Sequence, residues 1–279
     1  MVSMGDSARI SPTAYYTGHV WYRNDLSDKT FYTRRGHSYF LLLQPFFRMA
    51  SMVNKGVTME NLLLQRHRLI DHLLTSLIQD RGICDVVEIA SGLSPRGLRF
   101  KKEFGDRIQY IEADLPDMAA HKQQILGNLS CGHHVVPVDA TTNTGPLSIQ
   151  EVIEPYLGNG PVIFITEGLL PYFPREIVSK LWNTFSALME SRGGVYLSNI
   201  ILGSSTPEDI FMRTFHRFLS RFVKGKTYLH FQDQTEIVQA LNDAGFEHTH
   251  MHAARDYAEA IGFQPPGRKN IMYILEASK

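Results

Sequence analysis

The sequence predicts an α/β fold: a doubly wound, mainly parallel sheet behind a helical N-terminal segment. Three observations carry that prediction. Short β-branched runs recur at 86–90, 108–112, 134–138, 162–166 and 194–198. Segments of helical composition separate them, at 95–104, 117–126, 148–156 and 174–190. The first 80 residues instead keep helical spacing. Strands alternating with helices are repeated βαβ units, which build a parallel sheet.

The elements follow in order. Leu62, Leu63, Leu69, Ile70, Leu73, Leu74 and Leu77 recur at helical spacing, interrupted by Arg66, Arg68 and Asp71. The pattern changes after Arg81-Gly82, and the first strand ends in small residues at Ala90. Pro174 is placed as the first residue of its helix. Later, 207–222 reads as an amphipathic helix and 235–244 as another, closed by Gly245. Strands at 246–252 and 270–276, the latter after Pro265-Pro266-Gly267, bring the sheet to seven strands. Residues 1–80 are expected to form a helical segment on a single unit, 81–279.

Composition narrows the classes. Lys and Arg number 28 against 28 Asp and Glu, so bulk charge does not draw the 279-residue chain to polyanions. A hydrophobic fraction of 43% excludes a mostly disordered chain. Two cysteines, Cys84 and Cys131, make no disulfide framework and suit a reducing compartment. The start, Met1 to Asp6, lacks a basic stretch leading into an apolar run, so no secretory signal is expected. No apolar run approaches the roughly 20 residues of a membrane helix, and Lys101-Lys102 is too short to anchor on lipid. The expectation is a soluble cytoplasmic enzyme or binding module with a small-molecule ligand, without nucleic acid or membrane, as a monomer or homodimer.

In a doubly wound sheet, ligands bind beyond the carboxyl ends of the strands. The first strand is followed by Ala90-Ser91-Gly92-Leu93-Ser94, small residues that let a ligand approach the backbone. With Gly92 as its one glycine, this is not the G-x-G-x-x-G fingerprint, and a plain tight turn explains it equally well. The second strand leads into Glu112-Ala113-Asp114-Leu115-Pro116, an acid placed for ribose hydroxyls or for capping the next helix. The third leads into Asp139-Ala140, suited to an adenine amino group. The fourth leads into Thr166-Glu167-Gly168-Leu169-Leu170-Pro171-Tyr172, an acid, a glycine and an aromatic together. Their joint occurrence points to an adenosine-containing ligand.

Arg66 and the runs at 87–93, 110–116 and 166–172 together resemble the leucine carboxyl methyltransferase family, and more closely its bacterial branch that tailors natural products. The resemblance runs from about Thr13 to about Arg192. It implies a class I (Rossmann-like) methyltransferase fold that binds S-adenosylmethionine (SAM). By the same resemblance Arg66 holds the SAM carboxylate, forking onto it in a bidentate way. Ala90, Ser91 and Gly92 line the methionine and ribose portion with Glu88 behind them. Asp114 takes the ribose hydroxyls, Leu115 presses on the adenine, and Asp139 and Ala140 read the adenine edge. Glu167 and the Gly168 backbone sit near the methionine amine, and Tyr172 faces the sulfonium and the acceptor. Two departures stand out: Ala90 replaces the first glycine of the family's pair, and Ser94-Pro95 stands where the family often has Asp-Thr.

The resemblance also makes the N-terminal segment a lid over the site. Residues 15–22 hold Tyr15, Tyr16, Trp21 and Tyr22, whose faces suit a sulfonium, at about 0.5–2 kcal/mol, or simply pack the helices. Tyr172, Tyr16 and Asn199 are the catalytic candidates, with Ser198 as a further orienting group. His248, His250 and His252 share a strand face, but no cysteine or carboxylate completes a set, so no metal is expected. His133-His134 is expected to be solvated, and His216 and His230 are alternative general bases in the acceptor region. The expected reaction is methyl transfer from SAM to a carboxylate or hydroxyl of a small molecule. The alternative is cyclisation of SAM to azetidine-2-carboxylate and methylthioadenosine. A SAM-binding scaffold and a protein-directed methyltransferase rank lower.

Overall fold

Seven strands, β1 (Asp85–Ile89), β2 (Gln109–Asp114), β3 (His134–Pro137), β4 (Val162–Thr166), β5 (Gly194–Ile201), β6 (His248–Ala253) and β7 (Met272–Ser278), form one sheet. This computed structural model describes residues 12–53, 58–129, 133–202, 227–263 and 272–279. The strand order is β3-β2-β1-β4-β5-β7-β6. The pairings from β3 across to β5 are parallel, and β7 runs antiparallel to both neighbours. The order reverses between β1 and β4, and sheets of this kind bind ligands beyond the carboxyl ends at that point.

The helices are α1 (Pro12–Arg23), α2 (Arg34–Val53), α3 (Met59–Arg81), α4 (Arg96–Phe104), α5 (Pro116–Leu126), α6 (Ile149–Ile153), α7 (Arg175–Met189) and α8 (Gln234–Asp243). α3 starts where the Thr58 hydroxyl accepts from the Asn61 amide, and it stops at Gly82 in a left-handed conformation. Its Leu69, Ile70, Leu73, Leu74 and Leu77 pack against Val86, Ile163, Leu197 and Ile274 on one face of the sheet. Trp182 and Phe185 of α7, with Ile237 and Leu241 of α8, cover Phe164 and Tyr196 on the other. Burying each such side chain contributes about 1.5–3 kcal/mol. The sheet is thereby a fixed platform, and its strand ends hold their positions.

Several expectations change in detail. The helix expected over 148–156 shortens to α6 and a 3₁₀ turn, Glu154–Tyr156, because Pro155 has no N–H to continue the ladder. Pro174 is the N-cap of α7 rather than its first residue, since its ψ of 159° is extended. β5 runs past 198 because β7 pairs along it from Val195 to Ile201. The helix expected at 207–222 lies outside the described residues. The helical segment expected over 1–80 packs in two parts. α3 belongs to the sheet's own layer, so the outer helical segment comprises α1 and α2, packed on α3 through Tyr16, Val20, Phe40, Phe47 and Leu63.

Candidate active site at the carboxyl ends of the strands

The turn after β1 holds Ala90 at φ 55° and Gly92 at φ 52°, both left-handed. α1 lies directly on this turn. A Cβ on Gly92 would stand 3.4 Å from the Ala14 side chain, and one on Gly18 would stand 2.9 Å from that of Leu93. Asp114 joins the turn to β2: its Oδ2 accepts from the Gly92 amide at 2.6 Å and its Oδ1 from the Leu115 amide at 2.8 Å. Burial pushes the Asp114 carboxyl up, against the pull of these two amides. Leu115 caps α5 and is half-buried. After β3, Asp139 closes a local turn by accepting from the Thr141 amide and hydroxyl at 2.9 and 2.7 Å, with half-buried Ala140 beside it.

At the end of β4, Glu167 Oε1 accepts from Arg66 Nε at 2.8 Å. Arg66 comes from α3, with its side chain 17% exposed against 4% for Glu167. Gly168 has φ 76°, and a Cβ there would lie 3.0 Å from both Nη atoms of Arg66. The glycine thus keeps room for the guanidinium fork. Glu167 Oε2 accepts from His67 Nδ1 at 2.9 Å and from Arg96 Nη2 at 2.6 Å. Burial alone would raise the Glu167 carboxyl, but His67, Arg96 and Arg66 outweigh it and hold it well below the usual range. Beneath lies a buried ionic web. Arg96, fully buried, donates also to Asp71 and to Glu88, each at 2.6 Å. Tyr110 donates to the other Glu88 oxygen at 2.8 Å.

The structure redistributes several expected roles. Glu88 has both oxygens engaged and 1% exposure, so it braces the β1 turn and is closed off from a ligand. Ser91 turns its hydroxyl to the buried Lys122 amine at 3.2 Å. Asn199 lies within β5, and its Oδ1 accepts from the Gly168 amide at 2.6 Å. It therefore shapes the β4 loop, and that amide is occupied. Ser198 bonds back to Thr166. Tyr16 is packed between Phe40 and Phe47, in a cluster that Ile201 at the end of β5 also joins, and burial pushes its phenol up. Tyr172 does lie at the β4 end, where its hydroxyl donates to Thr13 Oγ1 of α1 at 3.3 Å and burial raises its pKa.

The histidines also move. His133 is buried, with Nε2 3.2 Å from Glu112, because Glu112 and Lys122 form a pair with no exposure beneath β2. His134 packs its ring on Tyr156. A carboxylate does meet the histidine strand, since Glu276 of β7 lies 2.9 Å from His252 Nε2 and Tyr257 closes on Nδ1. His230 Nε2 bonds the Leu170 carbonyl at 3.0 Å, which leaves the neutral ring's lone pair on Nδ1; burial lowers its pKa. His216 and Cys131 fall outside the described residues, and Cys84 is exposed. His67, Arg96, Tyr110 and Lys122 were not legible beforehand. The His67–Asp71 spacing of four was the one local signal.

Comparison with known proteins places this geometry. The sequence profile described as leucine carboxyl methyltransferase matches residues 24–186, more than half of the chain. The chain belongs to the leucine carboxyl methyltransferase family. SAM is the methyl donor of that family. A relative from Saccharopolyspora erythraea, named "Putative S-adenosyl-L-methionine-dependent methyltransferase", is 30% identical over 128 residues, 44% of this chain and 43% of its own. One from Mycobacterium bovis with the same name is 26% identical over 188 residues, 66% of this chain and 58% of its own. The chain thus matches about half the length of these curated relatives. Among solved structures, a DUF574 family protein of Streptomyces avermitilis aligns with TM-score 0.63 at 12% identity, over 96% of this chain and 97% of that one. Human N-acetylserotonin methyltransferase, solved with SAM, aligns with TM-score 0.50 at 12% identity, over 95% and 66%. At such identities the likeness shows the fold alone: a class I methyltransferase sheet. Among the described residues, no helix of this family member is long and apolar enough to cross a membrane.

Proposed function

We propose that this chain is a SAM-dependent methyltransferase of small-molecule biosynthesis, acting on oxygen, with a carboxylate as the favoured acceptor and a hydroxyl next. The carrying observation is the Arg66–Glu167 pair at the end of β4, with Asp114 at the end of β2 on the other side of β1. A cation beside an anion complements the zwitterionic end of methionine, and a carboxylate after β2 complements ribose hydroxyls. Arg66 would hold the cofactor carboxylate and Glu167 the amine. Ala90, Ser91 and Gly92 would line its middle, Asp114 the ribose, and Leu115, Asp139 and Ala140 the adenine. The cofactor supplies a methyl group already activated on sulfonium sulfur.

The chain's own task is then to orient the acceptor and exclude water. α1, seated on the β1 turn and on Tyr172, closes the methionine end. Tyr172 is kept neutral by burial and supplies orientation rather than a base. That favours a carboxylate, which needs no deprotonation; a hydroxyl acceptor would draw on His230 Nδ1. The contact of Thr13 with Tyr172 supports a second reading, in which an enclosed SAM is the sole substrate and yields azetidine-2-carboxylate and methylthioadenosine. The proposal extends to a cytoplasmic enzyme, monomeric or homodimeric, that requires neither nucleic acid nor membrane.

One experiment separates these readings: incubation with SAM, with and without a panel of small carboxylic acids and phenols, followed by identification of the adenosine product. S-adenosylhomocysteine appearing only with an acceptor supports methyl transfer. Methylthioadenosine formed without acceptor overturns it in favour of cyclisation. Absence of SAM binding by calorimetry overturns both.

A further inference from the structure

We propose that His67 and Arg96 are positioning residues for the amino-acid end of the cofactor, acting through Glu167. The inference rests on the cofactor reading above and goes beyond it, because neither residue is assigned to contact SAM. Glu167 is held by three donors from two helices. Arg66 Nε takes Oε1, while His67 Nδ1 and Arg96 Nη2 converge on Oε2. With both oxygens engaged, the carboxylate plane cannot rotate, so the one lone pair left on Oε1 keeps a fixed direction.

Arg96 makes this orientation a property of the whole strand-end region. It is the first residue of α4, directly after the β1 turn. Its three nitrogens reach Asp71 on α3, Glu88 on β1 and Glu167 after β4. One buried guanidinium thereby ties together three of the elements that surround the methionine end. His67 adds a fourth link. Arg96 Nη2 also stands 2.9 Å from Nδ1, but the carboxylate on Nδ1 accepts only and Arg99 Nη1, 3.3 Å from Nε2, donates only, so together they place the proton on Nδ1. The His67 ring lies against Trp21 of α1, with centroids 4.7 Å apart, so the helix on the β1 turn also shields this web.

Charge supports the same role. Asp71, Glu88 and Glu167 face Arg66, Arg96 and Arg99, three anions against three cations. A ligand end carrying one ammonium and one carboxylate leaves such a web balanced, whereas a single added charge does not. Pre-set orientation then contributes to affinity because little is reorganised on binding.

The test compares SAM with 5′-methylthioadenosine, which keeps the adenosine and lacks the amino-acid end. Binding is measured by calorimetry for wild type, His67→Phe, His67→Asn and Arg96→Lys, with a thermal melt of each. His67→Phe keeps a ring against Trp21 and removes the donor. It should weaken SAM by about tenfold, the scale of one hydrogen bond to a charged group. Methylthioadenosine should stay within about twofold of wild type. His67→Asn, with a short amide donor, should recover most of the loss. Arg96→Lys should show the same selective loss. Equal losses for both ligands would mark the web as merely structural and overturn the proposal, as would unchanged SAM affinity in His67→Phe. A wild type with no preference for SAM over methylthioadenosine would overturn the reading of Arg66 and Glu167 as well, and so is distinguishable from failure of the positioning role alone.

Discussion

Arg66 and Glu167 meet at 2.8 Å although 101 residues separate them. One is carried by α3 and the other follows β4, so the pair exists only because α3 packs on the sheet. Arg66→Ala should weaken SAM by about tenfold or more, the scale of a charge-assisted hydrogen bond. The melting temperature should change little, because Glu167 keeps His67 and Arg96. Calorimetry and a thermal melt check the two halves separately.

Asp114 carries a pH signature. Burial raises its carboxyl above the ordinary aspartate value of 3.8. Ribose hydroxyls need the ionised form as acceptor, so SAM affinity should fall on acidification and begin to fall at higher pH than an exposed aspartate would dictate. Asp114→Asn should bind more weakly and without that slope. Dissociation constants of wild type and Asp114→Asn compared from about pH 7.5 down to about pH 4 give the answer, and equal affinities of the two proteins across that range would remove Asp114 from the site.

Tyr172 bridges the β4 loop and α1 through Thr13. Tyr172→Phe loses that link and keeps the ring. SAM affinity should be spared and turnover altered. Unchanged turnover in a steady-state assay would show that the residue is wrongly placed.

Lys122 and Glu112 form a fully buried ion pair at 2.8 Å. Lys122→Met leaves the buried Glu112 carboxylate without its ammonium partner, with His133 still beside it, and breaking such pairs costs about 3–5 kcal/mol. Burial works to raise Glu112, and Lys122 with His133 holds it below its usual 4.5. In wild type the pair therefore stabilises above pH 4.5, and that contribution is lost as pH falls through the lower folded-state value. In the variant Glu112 can take up a proton, so the penalty should be large near neutrality and shrink in acid. Urea unfolding at about pH 7 and about pH 4.5 measures both.

Ala90 holds a left-handed φ of 55°, which costs an L-residue about 1–2 kcal/mol. Glycine removes that cost and adds unfolded-chain entropy of about 0.5–1 kcal/mol. Ala90→Gly should therefore be neutral or stabilising by up to about 1.5 kcal/mol, whereas Ala90→Val should destabilise. Denaturant midpoints decide it, and a clearly destabilised glycine variant would show that the turn does not strain Ala90.

The sequence by itself determined the strands, their alternation with helices, and therefore the parallel sheet and its ligand-binding edge. Those features rest on local composition: β-branched runs such as 162–166 and small or acidic residues where each run stops. It also placed Arg66, Asp114, Glu167 and Tyr172 among the functional candidates, and the structure sets all four around the strand ends. Only the tertiary structure decided what each side chain does there. Asn199 was drawn into β5 by pairing with β7, and its amide oxygen went to Gly168. Tyr16 was taken by the packing of α1 on α2 and α3. His133, which reads as a solvated histidine, is buried beside Glu112. Arg96 follows an ordinary Ser-Pro turn, yet it is the hub of three carboxylates. The physical reason is common to all of these. Hydrophobic periodicity and turn chemistry act between neighbours in the chain, whereas a buried charge must find partners wherever folding brings them, and those of Arg96 lie 8, 25 and 71 residues away.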